Sequence, residues 1–277
     1  MTTVGIATGS GRGMGLACAR RLTDLVDTLL LVDRDELAVT AAAKELAAAD
    51  DEIEVEPFVL DITDRAGLAQ LAARTAELGT LRAVSHAAGI SPTMADWRRI
   101  LEVDLVGTAR LAEALRPLAT AGTAMVCFAS MAPLLGNLEA DPAVAEILDD
   151  PLRDDFLDRL RDILGPAVEN TGLAYAWAKH GVHRFVRREA VRLGPCGARV
   201  CSVSPGVIDT PQGQQEASAQ PAMAALVEQT PLGRVGRAED VAAAVAFLLS
   251  DEAAFVSGID VLVDGGVCAA VRERGGR

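Results

Sequence analysis

The sequence of 277 residues contains few aromatic residues and very little lysine. Aromatic side chains make up 3% of the chain, with a single tyrosine, and only two of the 26 basic residues are lysine, Lys44 and Lys179. Arginine supplies the rest of the positive charge, so each retained lysine invites a specific explanation. The one tyrosine, Tyr175, lies in the same short segment as Lys179.

Cysteine is sparse and is not arranged for metal binding. The five cysteines include no C-x-x-C pair and no spacing typical of metal ligands. They are Cys18, Cys127, Cys196, Cys201 and Cys268. We therefore expect reduced, mostly buried thiols, and we predict neither a disulfide nor a bound metal.

Long apolar runs and a net positive charge are also missing. The apolar runs, such as 28–32 and 242–249, fall well short of the ~20 residues that span a bilayer, and the N-terminus has no recognisable signal peptide. The net charge of −13 would repel nucleic acid and anionic membranes. These absences predict a cytoplasmic protein that binds neither nucleic acid nor a membrane and whose partner is a small molecule.

Apolar segments typical of buried strands alternate with segments typical of helices along the whole chain. Strands are predicted at 4–7, 29–32, 55–60, 83–86, 124–129, 198–204 and 260–263, and helices at 36–48, 65–78, 96–118, 176–193 and 238–249. Strands joined by helices imply right-handed crossovers and a parallel sheet covered on both faces. The predicted fold class is therefore α/β, with a doubly wound, Rossmann-like sheet. No linker or repeat divides residues 1–277, which we expect to form a single dinucleotide-binding and catalytic domain.

One acidic segment, about residues 137–172, interrupts this alternation. It contains two helical patterns, around 144–148 and 152–164, and the second has an apolar face. We expect an inserted helical cap on the substrate side, whose apolar face roofs a pocket for a hydrophobic substrate. The alternative is that the insertion covers a subunit surface or alters the oligomer.

A glycine cluster joins the first strand to the first helix. The segment 8–15 reads T-G-S-G-R-G-M-G, and its small residues leave backbone N–H groups open to a pyrophosphate at the helix N-terminus. The spacing differs from the G-x-G-x-x-G pattern, so a purely structural turn is the alternative, although the position after the first strand favours a nucleotide site. The residues assigned to this site are Gly9, Ser10, Arg12, Gly13, Met14 and Gly15.

Asp33 ends the second predicted strand and is placed to bind the cofactor's adenosine ribose. Its carboxylate can accept hydrogen bonds from both ribose hydroxyls and repels a 2′-phosphate, which favours NAD(H) over NADP(H). Arg12 and Arg34 oppose this preference, since either could pair with that phosphate or could simply be a solvated surface residue. The ends of the next two strands supply residues expected beside the adenine and its ribose, or else ordinary turn residues. They are Asp61, Ile62, Ala87, Ala88 and Gly89.

Tyr175 and Lys179 are four residues apart and share one face of the predicted helix. A nearby cation lowers the pKa of a phenol from its ordinary value of ~10. We therefore expect Lys179 to lower the pKa of Tyr175, which can then exchange a proton with a substrate. Y-x-x-x-K also occurs by chance on helices. Ser130, at the end of the strand 124–129, is placed either to hold a substrate oxygen or to cap a helix.

These motifs, in this order, resemble those of the short-chain dehydrogenase/reductase family from Val4 to Gly266, apart from the insertion. The glycine motif matches 9–15, the acidic ribose-binding position matches Asp33, and the segment 86–89, H-A-A-G, stands where the family has N-N-A-G. The family's catalytic serine, tyrosine and lysine match Ser130, Tyr175 and Lys179. The segment 205–210 resembles the one that holds the nicotinamide carboxamide. It adds Pro205, Val207, Ile208 and Thr210 to the expected cofactor contacts, together with Tyr175 and Lys179.

The resemblance implies hydride transfer between a secondary alcohol or ketone and a nicotinamide cofactor, in a homodimer or homotetramer. It implies that Tyr175 exchanges the proton, that Lys179 binds the nicotinamide ribose and that Ser130 positions the reacting oxygen. A few members that act on steroids carry extra residues at the place of the insertion, which points to a steroid- or terpenoid-like substrate.

The sequence departs from the family pattern at three places. Asp104 replaces the asparagine of the V-N-L-x-G segment, and an ionised carboxylate cannot donate a hydrogen bond, so the role of Asp104 in the catalytic proton relay is in question. His86 and Ala87 replace both asparagines of N-N-A-G, and the insertion separates Ser130 from Tyr175 more than is usual. An alternative function is therefore an NAD(H)-binding regulatory protein with impaired catalysis. An enoyl reductase is less favoured, since it would usually separate the tyrosine and the lysine by more residues.

Overall fold

The computed structural model describes residues 2–219 and 222–275, and its centre is a seven-stranded parallel sheet. The strands are β1 (Thr3–Thr8), β2 (Thr28–Asp33), β3 (Glu54–Val59), β4 (Thr80–His86), β5 (Ala124–Phe128), β6 (Arg199–Pro205), β7 (Ile208–Asp209), β8 (Gly236–Arg237) and β9 (Asp260–Val263). The sheet has the order β3-β2-β1-β4-β5-β6-β9, and β7 pairs with β8 separately. The order reverses at β1, which leaves a crevice between the carboxyl ends of β1 and β4. The predicted doubly wound α/β fold is confirmed.

The central strands are buried on both faces, as their uninterrupted apolar sequences predict. Almost every residue of β1 and β2 is buried, because helices cover both sides of the sheet. The edge strand β3 is more exposed and contains Pro57, which an edge tolerates because proline has no N–H to donate to a neighbouring strand.

Helices cover both faces of this sheet. They are α1 (Gly13–Leu22), α2 (Glu36–Ala49), α3 (Arg65–Leu78), α4 (Trp97–Leu101), α5 (Thr108–Leu115), α6 (Ala132–Leu135), α7 (Pro142–Leu148), α8 (Phe156–Leu164), α9 (Thr171–Leu193), α10 (Pro211–Ala219), α11 (Ala222–Gln229), α12 (Ala238–Leu249) and α13 (Val267–Gly275). In the described part of the chain, no helix combines the length and the hydropathy needed to cross a membrane. α9 begins earlier than predicted because Asn170 caps it, accepting a hydrogen bond from the Leu173 N–H at 3.0 Å.

The single helix predicted over 96–118 is interrupted in the middle. α4 passes into a π-helical turn at Glu102–Gly107 before α5 begins, and such turns occur frequently at functional sites. This turn carries Asp104, which is fully buried. It also packs closely on α9, because Gly181 has no Cβ; a Cβ there would lie 2.5 Å from a methyl carbon of Leu105. The interruption therefore places Asp104 against the helix that carries Tyr175.

The insertion is helical, but it does not roof the cavity described below, which corrects the expectation of a substrate-side cap. Of residues 137–172, only Gly172 lines that cavity. The apolar faces of α7 and α8 instead join the core cluster that includes Trp177 and Val182 of α9. Asp149, after α7, accepts two hydrogen bonds of 2.8 Å from Arg184 of α9. α9, and not a substrate, therefore buries the apolar face that the sequence pattern predicted.

Candidate active site

A cavity of ≈ 580 Å³ opens at the carboxyl ends of the central strands, where ligands bind in sheets of this topology. Most of the predicted site residues line it. They are Gly9, Arg12, Gly13, Met14, Gly15, Asp33, Asp61, Ile62, Ala87, Ala88, Gly89, Ser130, Tyr175, Lys179, Pro205, Val207, Ile208 and Thr210. Asp104 does not line it, and neither does Ser10. Ser10 is fully buried and donates its hydroxyl to the Val32 carbonyl at 3.3 Å, so it holds the loop to β2 instead of facing a ligand.

The glycine loop has the backbone geometry of an anion site. Gly9 and Gly13 adopt φ values of +65° and +57°, which favour glycine, and a Cβ at Gly15 would overlap the Gly9 carbonyl oxygen. Arg12, the residue before α1, makes no side-chain cap. The first N–H groups of α1 therefore remain free of a cap beside the cavity, at the positive end of the helix dipole. The loop fits the pyrophosphate of a dinucleotide.

The carboxylate of Asp33 is held at the end of β2 by two backbone N–H groups. One oxygen accepts from Gly11 at 2.9 Å and the other from Asp35 at 3.0 Å. The guanidinium of Arg12 forms an ion pair with Asp35, while Arg34 lines the cavity without an ion pair to any described residue. One of the two arginines that could bind a 2′-phosphate is therefore already engaged.

Arg99 is a lining residue that the sequence analysis did not identify. It comes from α4 and forms an ion pair with Asp61, and it donates hydrogen bonds to Thr63 at 3.0 Å and Glu102 at 2.9 Å. Because α4 and the end of β3 are distant in sequence, no local motif marks this pair. The predicted adenine end of the cavity is therefore closed by an ionic network and not by Asp61 alone.

Ser130, Tyr175 and Lys179 meet at the opposite end of the cavity. The Ser130 hydroxyl interacts with the Tyr175 hydroxyl, and its oxygen accepts a hydrogen bond from the Ala132 N–H at 3.1 Å. Ser130 therefore lines the cavity and contacts the start of α6, although the N-cap residue of that helix is Met131. The Lys179 ammonium lies 5.6 Å from the centroid of the Tyr175 ring and donates to the Phe128 carbonyl at 3.0 Å.

Asp104 forms a buried contact with Lys179. Its Oδ1 lies 3.5 Å from the Lys179 Nζ and accepts a hydrogen bond from the Ile90 N–H at 3.0 Å. Its Oδ2 is buried without a hydrogen-bond partner among the described residues. Burial raises the pKa of Asp104, and the charge of Lys179 partly opposes this effect. Lys179 therefore contacts a second ionisable side chain besides Tyr175. An asparagine at position 104 could not provide one.

The pKa of Tyr175 is raised, opposite to the direction expected from Lys179. Burial is the largest cause and the negative charge of Asp104 is the second, while the hydrogen bond to Ser130 lowers this pKa. The sequence argument counted the cation of Lys179 but not the carboxylate beside it. Because burial, and after it the charge of Asp104, disfavours the ionised phenol, the expected lowering of the Tyr175 pKa is not observed.

His86 is a buried neutral residue that replaces an asparagine of the family motif. Its Nδ1 lies 2.8 Å from the Thr8 hydroxyl and its Nε2 lies 2.9 Å from the Thr108 hydroxyl. Thr108 donates its own proton to the Asp104 carbonyl at 2.9 Å, so its oxygen accepts the Nε2 proton of His86. Burial, aided by the charge of Lys179, lowers the pKa of His86 to about 3.

This neutral histidine makes the protein less stable in mild acid. The unfolded chain, with a histidine pKa near ~6.5, binds a proton that the folded chain does not bind until about pH 3, so stability falls as the pH falls through this range. We expect His86 to contribute about 2 kcal/mol to the loss of unfolding free energy between about pH 7 and pH 5. Urea denaturation at both pH values should show a correspondingly smaller loss for His86→Asn. An equal loss in both proteins would contradict this account.

A second group of unpredicted residues covers the end of the cavity near Ser130. α10 and α11 contribute Gln215, Glu216, Met223 and Leu226 to its wall, and Leu226 packs against the cluster of Met131, Val267 and Cys268. The sequence signal that could have identified α10 is Pro211, which follows Thr210, since proline is frequent at the first position of a helix. This pair of helices, and not the insertion, forms the wall of the cavity near Ser130.

A doubly wound sheet whose crevice holds a glycine loop and a half-buried tyrosine in one cavity is typical of nicotinamide-dependent oxidoreductases. Sequence comparison assigns the chain to one family within this class. A family model described as enoyl-(acyl carrier protein) reductase matches residues 5–141 and 164–268. The gap between the two stretches contains α7 and almost all of α8. The chain belongs to the short-chain dehydrogenase/reductase family.

The relatives are dehydrogenases and reductases. Cis-4-hydroxycyclohexanecarboxylate dehydrogenase of Sinomonas cyclohexanicum is 32% identical over 277 residues, covering 96% of each chain. Cyclopentanol dehydrogenase of Comamonas sp. (strain NCIMB 9872) is 47% identical over 96 residues, which are 35% of this chain and 38% of that protein. The solved structure of levodione reductase matches with a TM-score of 0.72 and 27% identity, covering 97% of this chain and 98% of that one. The chain is an oxidoreductase that acts on CH–OH groups and interconverts secondary alcohols and ketones.

Proposed function

We propose that the protein is an NAD(H)-dependent dehydrogenase of a hydrophobic secondary alcohol carried on a saturated ring. The observation that carries this proposal is the placement of Ser130, Tyr175 and Lys179 in one cavity with the glycine loop and Asp33. Purified protein with NAD⁺ and cyclohexanol should generate the absorbance of NADH. No turnover of cyclic or open-chain secondary alcohols with either nicotinamide cofactor would overturn the proposal.

In this proposal the chain binds the cofactor, orients the substrate and moves one proton. The cofactor, when bound, accepts or donates the hydride. Ser130 binds the substrate oxygen, and Tyr175 accepts the alcohol proton or returns it to the ketone. Lys179 is held by the Phe128 carbonyl and Asp104, which keeps its ammonium beside the ring of Tyr175. Ser130 and Tyr175 both line the cavity and interact with each other, which supports contact of both hydroxyls with one substrate oxygen.

The preference for NAD(H) rests on the charges at the end of β2. Asp33 presents a fixed carboxylate beside the cavity, and a 2′-phosphate there would meet that negative charge. Arg12, one of two arginines able to compensate it, is paired with Asp35. Arg34 is the remaining opposing charge, and an exposed arginine without a fixed geometry contributes less than a partly buried carboxylate held by two N–H groups.

Asp33→Asn should weaken the preference for NAD⁺. The variant loses the charged acceptor for the ribose hydroxyls and the repulsion of a 2′-phosphate, so the ratio of kcat/KM for NAD⁺ to that for NADP⁺ should fall by about tenfold or more. Initial rates with both cofactors measure this ratio. Glu36→Gln is the matched control, since Glu36 is exposed in the first turn of α2 and does not line the cavity. An equal change in both variants, or none in Asp33→Asn, would exclude a role for Asp33 in selection.

A substrate on a saturated ring is supported by the wall of the cavity and by the relatives. Met131, Leu135, Val207 and Leu226 form an apolar cluster next to Ser130. Two relatives are named for alcohols of cyclohexane and cyclopentane rings. The steroid- or terpenoid-like substrate rested on an insertion that does not line the cavity, so the compact ring alcohol is the better supported choice.

We also propose that the chain forms a homo-oligomer. β9 is an edge strand of the sheet, and unpaired edges are sites where a second chain can pair. The large apolar side chains of Phe255, Ile259 and Leu262, in and just before this strand, are exposed. A second copy of the chain that paired at this edge would cover these side chains and remove their apolar surface from water.

A further inference from the structure

Glu216 lies in the wall of the cavity, and the mechanism above does not use it. It is on α10, with its side chain only partly exposed. Within residues 2–219 and 222–275, no hydrogen bond or ion pair joins its carboxyl group to another side chain or to the backbone. Burial raises the pKa of Glu216. Its carboxylate oxygens are not cut off from solvent, so the group stays available to accept a hydrogen bond from, or to repel, a ligand bound in the cavity.

The position of Glu216 is near the reacting end of the cavity. Its negative charge contributes to the raised pKa of Tyr175, after burial and the charge of Asp104. Most of the surrounding wall at this end is apolar, with Met131, Leu135 and Leu226 in one cluster. A substrate bound to Ser130 and Tyr175 therefore comes within electrostatic reach of a carboxyl group in an environment that screens charge poorly.

Among the described lining residues, no positive charge is available at this end to offset that carboxylate. Arg12 is paired with Asp35, and Arg99 is paired with Asp61 at the opposite end. Arg34 follows β2, beside Asp33. Lys179 is in contact with Asp104. An anionic substituent on the substrate would therefore meet Glu216 without a counterion.

We propose that Glu216 selects substrates by charge, disfavouring ring alcohols that carry a carboxylate and favouring those with a second hydrogen-bond donor such as a hydroxyl or an ammonium group. A donor would satisfy the free carboxylate oxygen, whereas an anion would be repelled by it. This inference rests on the proposed function. It distinguishes this chain from the relative named for 4-hydroxycyclohexanecarboxylate.

The test compares three substrates that share one ring. Cyclohexanol, 4-aminocyclohexanol and 4-hydroxycyclohexanecarboxylate are oxidised with NAD⁺ at about pH 8.5, where an alkyl amine remains protonated. For the wild-type protein we expect kcat/KM for the amino alcohol to exceed that for the carboxylate by about tenfold or more. In Glu216→Gln this ratio should fall by about tenfold, mainly through KM, while cyclohexanol turnover persists. Glu228→Gln is the matched control, because Glu228 is exposed on the neighbouring α11 and does not line the cavity.

Each outcome decides between the alternatives. A ratio that is unchanged in Glu216→Gln, or that changes equally in Glu228→Gln, overturns the inference but leaves the proposed function standing. Loss of cyclohexanol turnover in Glu216→Gln with intact NADH binding also overturns it, because the carboxyl group would then serve the reaction itself. Absence of cyclohexanol turnover in the wild-type protein, with both cofactors, counts against the proposed function instead. Glu216→Lys should reverse the preference, so that kcat/KM is higher for the carboxylate than for the amino alcohol. This reversal is an independent test that the charge at position 216 sets the selectivity.

Discussion

Tyr175→Phe is expected to lower kcat by about 10²- to 10⁴-fold, the range that a positioned general acid or base contributes. The substitution removes one hydroxyl and retains the ring, which packs against the cluster of Ile62, Ile90 and Val103. The hydroxyl interacts with Ser130 and is the group in the cavity that we propose exchanges a proton with a substrate oxygen. Steady-state oxidation of cyclohexanol with NAD⁺ measures the effect.

The control for this variant is cofactor binding. Because the glycine loop and Asp33 are at the other end of the cavity, calorimetric titration with NADH should give nearly the same affinity for the variant and the wild-type protein. Loss of NADH binding would show that the substitution had disturbed the packing of the ring and the cofactor site, and not proton transfer alone. Activity within tenfold of the wild type, with binding intact, would exclude Tyr175 as the proton-transferring residue.

Asp104→Asn should move the pH dependence of alcohol oxidation to lower pH. The variant retains an oxygen that can accept from the Ile90 N–H, but it removes the negative charge beside Lys179, which is the second cause of the raised Tyr175 pKa. The uncompensated ammonium then favours the ionised phenol. Since oxidation requires the unprotonated tyrosine as base, the rising limb of kcat/KM should shift downwards by about one pH unit.

A pH profile of kcat/KM measures this shift, with Glu113→Gln as the control. Glu113 is exposed on α5, the helix that follows the π-helical turn, and its removal changes the net charge equally. A profile that moves in Asp104→Asn but not in Glu113→Gln supports a positioning role through Lys179. An unmoved profile with lower kcat would mean that Asp104 is only structural, and a shift to higher pH would contradict the electrostatic account.

The sequence predicted the parts of the site that lie on regular strand ends. Gly9, Asp33, Ser130 and Tyr175 follow from a local rule, because parallel strands bring their carboxyl ends to one edge and a helix places residues four apart on one face. The structure brings them into one cavity as expected. Their roles in binding and catalysis remain proposals that the variants above test.

The residues that sequence reasoning missed are those whose position depends on packing between distant segments. Arg99 reaches Asp61 from another helix, and Glu216 enters the cavity on a short polar helix with a weak pattern. The compensation of Lys179 by Asp104 depends on the π-helical turn, which no periodicity in 96–118 indicates. The apolar face of the insertion was recognised correctly, but an amphipathic pattern does not specify which surface it will cover.

The insertion gives the helix that bears Tyr175 and Lys179 a neighbour from the same chain. Phe156 and Leu160 of α8 are buried in the core that α9 shares, and Arg184 and Arg188 of α9 both bind Asp149. Three exposed apolar side chains, Phe255, Ile259 and Leu262, lie in and just before β9, on the edge of the sheet and away from this contact. The orientation of Tyr175 is therefore set by contacts within one polypeptide, and we expect dilution of the protein to leave the geometry of the cavity around it intact.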